Sequence, residues 1–464
     1  MQHVLDTIIG ISGWLWGPPI LILLAVGGIF MTFRLGFFQF RYFFYILGAT
    51  LGKMFSKKRT DEGEGTLSAF QALTSAVACT VGAGNIVGVP VAIAFGGPGA
   101  IFWMWMIALL GMSLKYGEVI LAIKYRTKNA LGEYVGGPAH YMSKGLNMKW
   151  LAGLFALSLM LEVAISSMTQ ANALAGSAQA SMNIPPIVSG IVVMLLSGIV
   201  VIGGVKRLGK FTEKLVPFMA TVYIFASVII VVLNYARIPD MLAMIFEYAF
   251  APMSAVGGFA GSSIALAVRW GVARGLYSNE AGLGTAPIAH AAAVTDHPVR
   301  QGLWGVVEIF IDTIVICTCT AFVILSTGVW RSADATSVGG GLTTLAFTEM
   351  FGAAGGILVT ICLILFVFST LIVLIWYGEK QAEFLFGEKT SLIYRWICIL
   401  LIPVGAMGAA TFLWQFLDLT LALILFPNML AILLLHKEIV AATREFFHTP
   451  GMYYLKDKED AGAR

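Results

Sequence analysis

Residues 66–97 read TLSAFQALTSAVACTVGAGNIVGVPVAIAFGG. The stretch carries no charge and exceeds the about 20 apolar residues that cross a bilayer. Its middle is nevertheless written against a continuous helix. Gly82, Gly84 and Gly88 fall within seven residues, Pro90 follows, and Asn85 lies between them. Glycine costs a helix interior about 1 kcal/mol and proline about 3 kcal/mol relative to alanine. Broken backbone at membrane depth is tolerated only where protein or a wet cavity covers it. The spacing therefore predicts two half-helices meeting near the bilayer midplane, with their freed backbone groups aimed at a ligand.

The rest of the chain agrees with a membrane setting. Of 464 residues, 58% are hydrophobic and 12% charged, and the mean hydropathy is +0.86. A soluble protein carries about 25% charged residues. The expected class is an all-α polytopic membrane protein forming a single transmembrane domain. Cys79, Cys317, Cys319, Cys362 and Cys398 all lie in apolar segments without metal-finger spacing. They read as small core residues rather than disulfides. The acidic, polar start before Trp14 differs from the basic start of a cleaved signal, so the first apolar run reads as a retained helix.

Eleven helices are expected, at roughly 14–33, 66–96, 98–124, 151–181, 187–204, 213–235, 257–290, 302–328, 355–385, 392–411 and 413–435. Basic residues mark one side. Arg34, Arg41, Lys53, Lys57, Lys58 and Arg59 lie in one loop; Arg126, Lys128, Lys144 and Lys149 in another; Lys206, Arg207 and Lys210 in a third. The tail adds Lys437, Arg444, Lys456 and Lys458, whereas the alternate loops contain only Arg237 and Arg331. This bias predicts an outside N-terminus and a cytoplasmic C-terminus in the cell (inner) membrane. Residues 37–45 (FFQFRYFFY) read as an interfacial helix or as a continuation of the first span.

A second glycine-broken, proline-containing segment occurs at 277–290, YSNEAGLGTAPIAH. GAGNIVGVP (82–90) and NEAGLGTAP (279–287) align on their prolines. The breaks are five spans apart, so the two segments enter from opposite sides. That pattern describes a five-plus-five inverted repeat: 66–235 and 257–435, with 14–33 outside the repeat and 436–464 as a cytoplasmic tail.

Several residues could bind solutes. The second half-helix of the first break offers the amides of Gly84, Asn85 and Ile86 to a carboxylate. The first half offers carbonyls from Ala78 to Val81 to a hard cation such as Na⁺. Gly84 and Gly88 also satisfy the small-xxx-small packing pattern. Glu162, Ser166, Gln170 and Ser177 share a helical face. Gln170 either contacts a ligand or bonds another helix. Glu162 is protonated, paired, or part of a cation site, because an intramembrane charge is costly. The Ser369 and Thr370 hydroxyls either complete a cation cage or bond back to their own helix. Glu308 and Asp312, with Arg269, Arg274 and Glu280, read as buried pairs or gates. GGVKRLGKF (203–211) fails as a phosphate loop because Phe211 stands where a Mg²⁺-binding hydroxyl belongs. No catalytic constellation is present, so no enzyme is expected, and the basic loops set orientation rather than bind nucleic acid.

Over nearly its whole length the chain resembles the alanine/glycine:cation symporter family. The specific segments are GEGTLSAFQAL (63–73), TVGAGNIVGV (80–89), GGPGAIFWMW (96–105), GGPAHYM (136–142), MTQAN (168–172) and ARGLYSNEAGLGTAPIAHAAA (273–293). The resemblance implies a LeuT-type fold and Na⁺-coupled uptake of small neutral amino acids. It implies substrate contacts from Gly82, Gly84, Asn85 and Gln170; the ammonium is expected near main-chain carbonyls of the second break, around Tyr277, Ser278, Asn279 and Glu280. It implies Na⁺ bound by Ala78, Val81, Ser369 and Thr370. The coupling ion is cargo, and no resident cofactor is expected; a monomer or loose oligomer is. The family often has tryptophan one turn after Thr370, where this chain has Leu374; Trp376 comes two residues later. GGPAHYM also carries Ala139 and His140 where the family commonly shows methionine or tyrosine and then tyrosine. Leucine at 374 enlarges the pocket and admits glutamine as a substrate. The alternatives are a proton-coupled carrier or channel using Glu162, and a non-transporting amino-acid sensor.

Overall fold

The computed structural model describes residues 10–54, 63–251, 264–331 and 339–449. Lys57, Lys58, Arg59, Lys456, Lys458 and the start of the 257–290 segment lie outside these residues. Helix α1 spans Gly10–Arg34. Gly36 and Phe37 then take left-handed backbone, and two short helices follow, Phe38–Arg41 and Phe43–Ala49. The aromatic run is thus set off from α1 by a turn.

The predicted break is present. Helix α2 (Ala69–Thr80) opens with a capping box in which Ser68 and Gln71 satisfy each other's backbone amides. Helix α3 (Gly84–Gly96) leaves it at an angle of 41°. Helices α4 (Gly99–Lys124), α5 (Lys149–Met182), α6 (Pro186–Val201) and α7 (Gly204–Leu233) follow. The second break separates α8 (Ile264–Asn279) from α9 (Ala286–Ala291). Then come α10 (Pro298–Thr327), α11 (Ala353–Phe386), α12 (Glu388–Ala406), α13 (Phe412–Leu434) and α14 (His436–His448).

Among the described residues, eight helices are long and apolar enough to cross a membrane, and the bent α2–α3 pair makes nine. Helix α6 has 16 residues, shorter than a span, and α8 has 16 described residues. Lys206, Arg207 and Lys210, expected in a loop, form the first turns of α7. Helices Ile238–Phe250 and Leu342–Phe351 occupy stretches expected as connections.

The prolines of the two breaks do a different job from the one expected. Pro90 stands one residue after the Val89 that opens the α-helical part of α3, and Pro287 one residue after the Ala286 that opens α9. Proline is favoured there because its missing N–H is needed by no helical partner. The glycines and polar residues make the gap; Pro287 restarts the helix, whereas Pro90 stands inside α3, just after its π-helical turn. The two broken segments run antiparallel. Thr66 and Leu67, just before α2, donate to the Ala292 carbonyl just after α9, and Val294 donates back to Leu67.

Long helices α4 and α11 are largely buried inside the bundle, whereas α1, α7 and α12 are its more exposed helices. Phe218 and Phe225 on α7 and Trp396 and Leu400 on α12 face outward, as lipid contact requires. Close packing of α8 on α4 depends on Gly271 and Gly275. A Cβ on Gly275 would lie 2.9 Å from Ile107 Cγ2, and one on Gly271 would strike the Ala100 carbonyl. Backbone cannot yield as a side chain can. Gly271→Val is therefore expected to destabilise the protein by at least about 1–3 kcal/mol, the usual cost of overpacking. Gly176→Ala, with nothing within 4 Å of the new methyl, should leave the melting temperature in detergent almost unchanged. Equal melting temperatures for the two variants would contradict this packing.

Candidate functional site

At the first break the chain fills most of its own loose backbone positions. The Gly82 amide donates to Asn85 Oδ1 at 3.0 Å, and the Ala83 amide donates to Gln170 Oε1 at 3.1 Å. The Asn85 amide donates to the Gly82 carbonyl at 3.3 Å, so it is not available to a ligand as expected. Residues Gly84–Gly88 form a π-helical turn, a geometry that recurs at functional sites.

A second π-helical stretch, Phe310–Cys317 in α10, presents Asp312 to the first. Asn85 Nδ2 donates to Asp312 Oδ1 at 2.7 Å and to Ser278 Oγ at 3.0 Å. The Ser278 and Thr313 hydroxyls also donate to the Asp312 carboxylate, at 2.8 Å and 2.7 Å. Asn279 bonds Thr313 through Nδ2 and accepts the Ala281 amide. The side chains of Asn85, Ser278 and Asn279 are thus engaged around Asp312 and Thr313, while the substrate contacts expected of this segment are main-chain ones. A fully buried carboxyl at 312 needs donors, and these side chains are the ones in reach.

A small polar cavity of about 10 Å³ lies beside this knot, room for a single water. Gly84, Gln170, Tyr277, Thr370 and Leu374 line it, as the sequence suggests, together with Glu162 and Glu280. Gln170 Nε2 lies 3.4 Å from the Tyr277 hydroxyl. Ser177 is elsewhere, bonded to Thr360 of α11. Trp376 lines a different cavity, beside Glu379 and Lys380, so it cannot stand in for a tryptophan at 374.

At the edge of the cavity, α11 brings two hydroxyls to the end of α2. Thr370 Oγ1 is 3.0 Å from the Ala78 carbonyl and 3.4 Å from that of Val81; Ser369 Oγ is 3.4 Å from Ala78. Both hydroxyls also bond back to the Phe366 carbonyl, at 2.8 Å and 2.9 Å. Back-bonding uses each hydroxyl proton and leaves oxygen lone pairs facing the carbonyls. Four neutral oxygens converge here, the donor set a hard cation prefers.

The second break contributes a residue that the sequence reading left among structural pairs. Glu280 has left-handed backbone, accepts the Cys79 thiol at 3.3 Å and bonds the Thr285 hydroxyl. Behind it, Lys115 of α4 pairs with Glu308 at 3.2 Å with neither side chain exposed. Glu308 also meets His290, whose other ring nitrogen meets Gln301. Arg274 pairs with Asp418 of α13 at 3.3 Å and stacks over Trp270, Tyr277 and Trp414. Lys115 and Asp418 went unweighed in the sequence, although any ionisable residue inside an apolar span signals function.

The sequence profile of the sodium:alanine symporter family matches residues 1–458. The chain is 51% identical over 457 residues to the uncharacterized transporter YflA of Bacillus subtilis (strain 168), 98% of this chain and 96% of that one. It is 40% identical over 441 residues to the sodium/alanine symporter AgcS of Methanococcus maripaludis, 94% of this chain and 96% of that one. Among solved structures it is similar to MhsT in complex with L-phenylalanine, with a TM-score of 0.63 over 82% of this chain and 96% of that one. At 14% identity that likeness is one of fold.

The knot around Asp312 carries a testable consequence. Asn85→Ala removes the cap on Gly82 and one of the two closest donors to Asp312. Each orphaned buried group costs about 1–3 kcal/mol, so the ligand-free protein should melt well below the wild type in detergent. An unchanged melting temperature with weakened amino-acid binding would instead make Asn85 a substrate ligand.

Proposed function

Because the chain belongs to the sodium:alanine symporter family, we propose that it is a sodium-coupled secondary active symporter importing a small neutral amino acid by alternating access. The observation that carries this reading is one break with two faces. The Ala83 amide meets Gln170, which lines the cavity together with Gly84, and carbonyls of Ala78 and Val81 face Ser369 and Thr370.

Gln170 Oε1 on the Ala83 amide stands where a carboxylate oxygen of the substrate would bind. On binding, the glutamine swings aside and donates through Nε2 to that carboxylate. The ammonium lies toward Tyr277 and Glu280, whose carboxylate supplies the opposite charge. Leu374 bounds the side chain. The cavity is smaller than alanine, so binding entails movement of these side chains. Na⁺ takes the four oxygens of Ala78, Val81, Ser369 and Thr370. The name of AgcS supports both solutes.

The proposed architecture counts α6 and the α8–α9 pair as spans, giving eleven in a five-plus-five inverted repeat (66–235 and 257–435) outside α1. The bonding of residues 66–67, at the start of one broken segment, to residues 292–294, at the end of the other, supports it. The basic loops support an outside N-terminus and a cytoplasmic C-terminus. One Na⁺ with a neutral substrate moves one charge. A potential of 100 mV supplies about 2.3 kcal/mol, and a tenfold Na⁺ gradient adds about 1.4 kcal/mol. The sum, about 3.7 kcal/mol, supports roughly 500-fold accumulation.

Uptake of labelled alanine, glycine and glutamine into proteoliposomes tests this. Concentrative uptake driven by a Na⁺ gradient is expected. Uptake driven only by a proton gradient would move coupling to Glu162. Gly84→Leu should abolish uptake, since a side chain there would meet Ser278 and the Tyr277 ring. Thr370→Ala should raise the Na⁺ half-saturation about tenfold, equivalent to about 1.4 kcal/mol, while uptake at saturating Na⁺ falls less. An unchanged half-saturation would remove Thr370 from the cation site.

A further inference from the structure

Glu162 lies two helical turns before Gln170 on the same face of α5 and lines the same cavity. It is 3% exposed. Ser166, one turn on, lines the cavity beside it, and among the described residues Oε2 of Glu162 has no hydrogen-bond partner. Glu280 across the cavity differs, since Cys79 and Thr285 donate to its two oxygens. Among the described residues no lysine or arginine lines this cavity, and Leu283, Leu374 and Leu421 supply its apolar wall. The cavity therefore has main-chain amides and Gln170 at one end and an unsatisfied acceptor toward the other. Residues 162 and 170 are separated by about 12 Å along the helix. An amino acid whose carboxylate sits on the Ala83 and Gly84 amides reaches Glu162 only with atoms beyond its α-carbon.

We propose that Glu162 is a specificity-determining residue, whose free Oε2 accepts an N–H or O–H donor on the side chain of the transported amino acid. The preferred substrates then carry an amide, hydroxyl or ammonium group in the side chain. Glycine and alanine leave the buried oxygen unpaired. A site with a buried polar group discriminates strongly against the analogue that cannot satisfy it, whereas extra methylenes alone distinguish ligands weakly. This inference rests on the proposed symport at this cavity.

The test is competition against labelled alanine in proteoliposomes under a Na⁺ gradient, using the full chain. The competitors are near-isosteric pairs, glutamine with norleucine and serine with α-aminobutyrate, plus lysine. In the wild type the donor-bearing member of each pair should inhibit at a concentration at least about tenfold lower. Glu162→Leu should bring both ratios close to one. Glu162→Gln, which keeps the shape and an amide oxygen, should retain the preference for glutamine and serine while weakening inhibition by lysine. It also serves if the leucine variant fails to fold. Near-unit ratios in a wild type that takes up alanine normally would overturn the specificity role and leave the symport reading intact. So would unchanged ratios in a Glu162→Leu variant that still takes up alanine, or unchanged inhibition by lysine in Glu162→Gln. No Na⁺-driven uptake of any amino acid would overturn the symport reading itself.

Discussion

A peptide group without a hydrogen-bond partner is expensive in hydrocarbon, and this structure is arranged around two places where the helix ladder stops. At each, neighbouring helices supply partners. Asn85 closes on Gly82, Gln170 reaches over from α5 to Ala83, and Asn279 closes on Ala281. Gly84, next to these closures, lines the polar cavity. The break is therefore shaped as much by what it has already satisfied as by what it leaves open.

The same constraint explains the buried charges. Lys115, Glu308, His290 and Gln301 form one chain of contacts behind the second break. Asn428 ties Glu118 to the Gly282 carbonyl and bonds Tyr141. Removing one member of such a group strands the others, which is why breaking a buried pair costs about 3–5 kcal/mol. These links fasten α4, α10 and α13 around the α8–α9 break. Arg274 and Asp418 sit differently, at the edge of the cavity, against Tyr277, which lines it. Asp418 also accepts the Trp16 indole through its carbonyl, joining α1 to this corner.

Much of this was legible in the sequence, for identifiable reasons. Glycine clusters in long apolar runs mark helix breaks because their backbone cost is local, so both gaps could be located from residues alone. The convergence of Ser369 and Thr370 on Ala78 and Val81 was expected from the resemblance, and the side chains do meet those carbonyls. The position of Asn85 in the break pointed to its main-chain amide and not to its side chain. Its true partners, Ser278 and Asp312, are 193 and 227 residues away. Local sequence holds no record of such pairings. The π-helical turns were equally invisible, since they arise from packing. Glu280 was readable in principle: a carboxylate inside a glycine-broken apolar segment has few roles besides function.

The central claim is that one helix break holds an amino-acid site and a cation site close enough to share backbone. Sites so joined must be energetically coupled, and coupling in binding is reciprocal. The most direct measurement is equilibrium binding of an amino acid to purified protein across a Na⁺ titration, together with Na⁺ binding across an amino-acid titration. The account predicts that each ligand tightens the other by the same factor, and that Thr370→Ala reduces both factors equally. Amino-acid affinity independent of Na⁺ would contradict it.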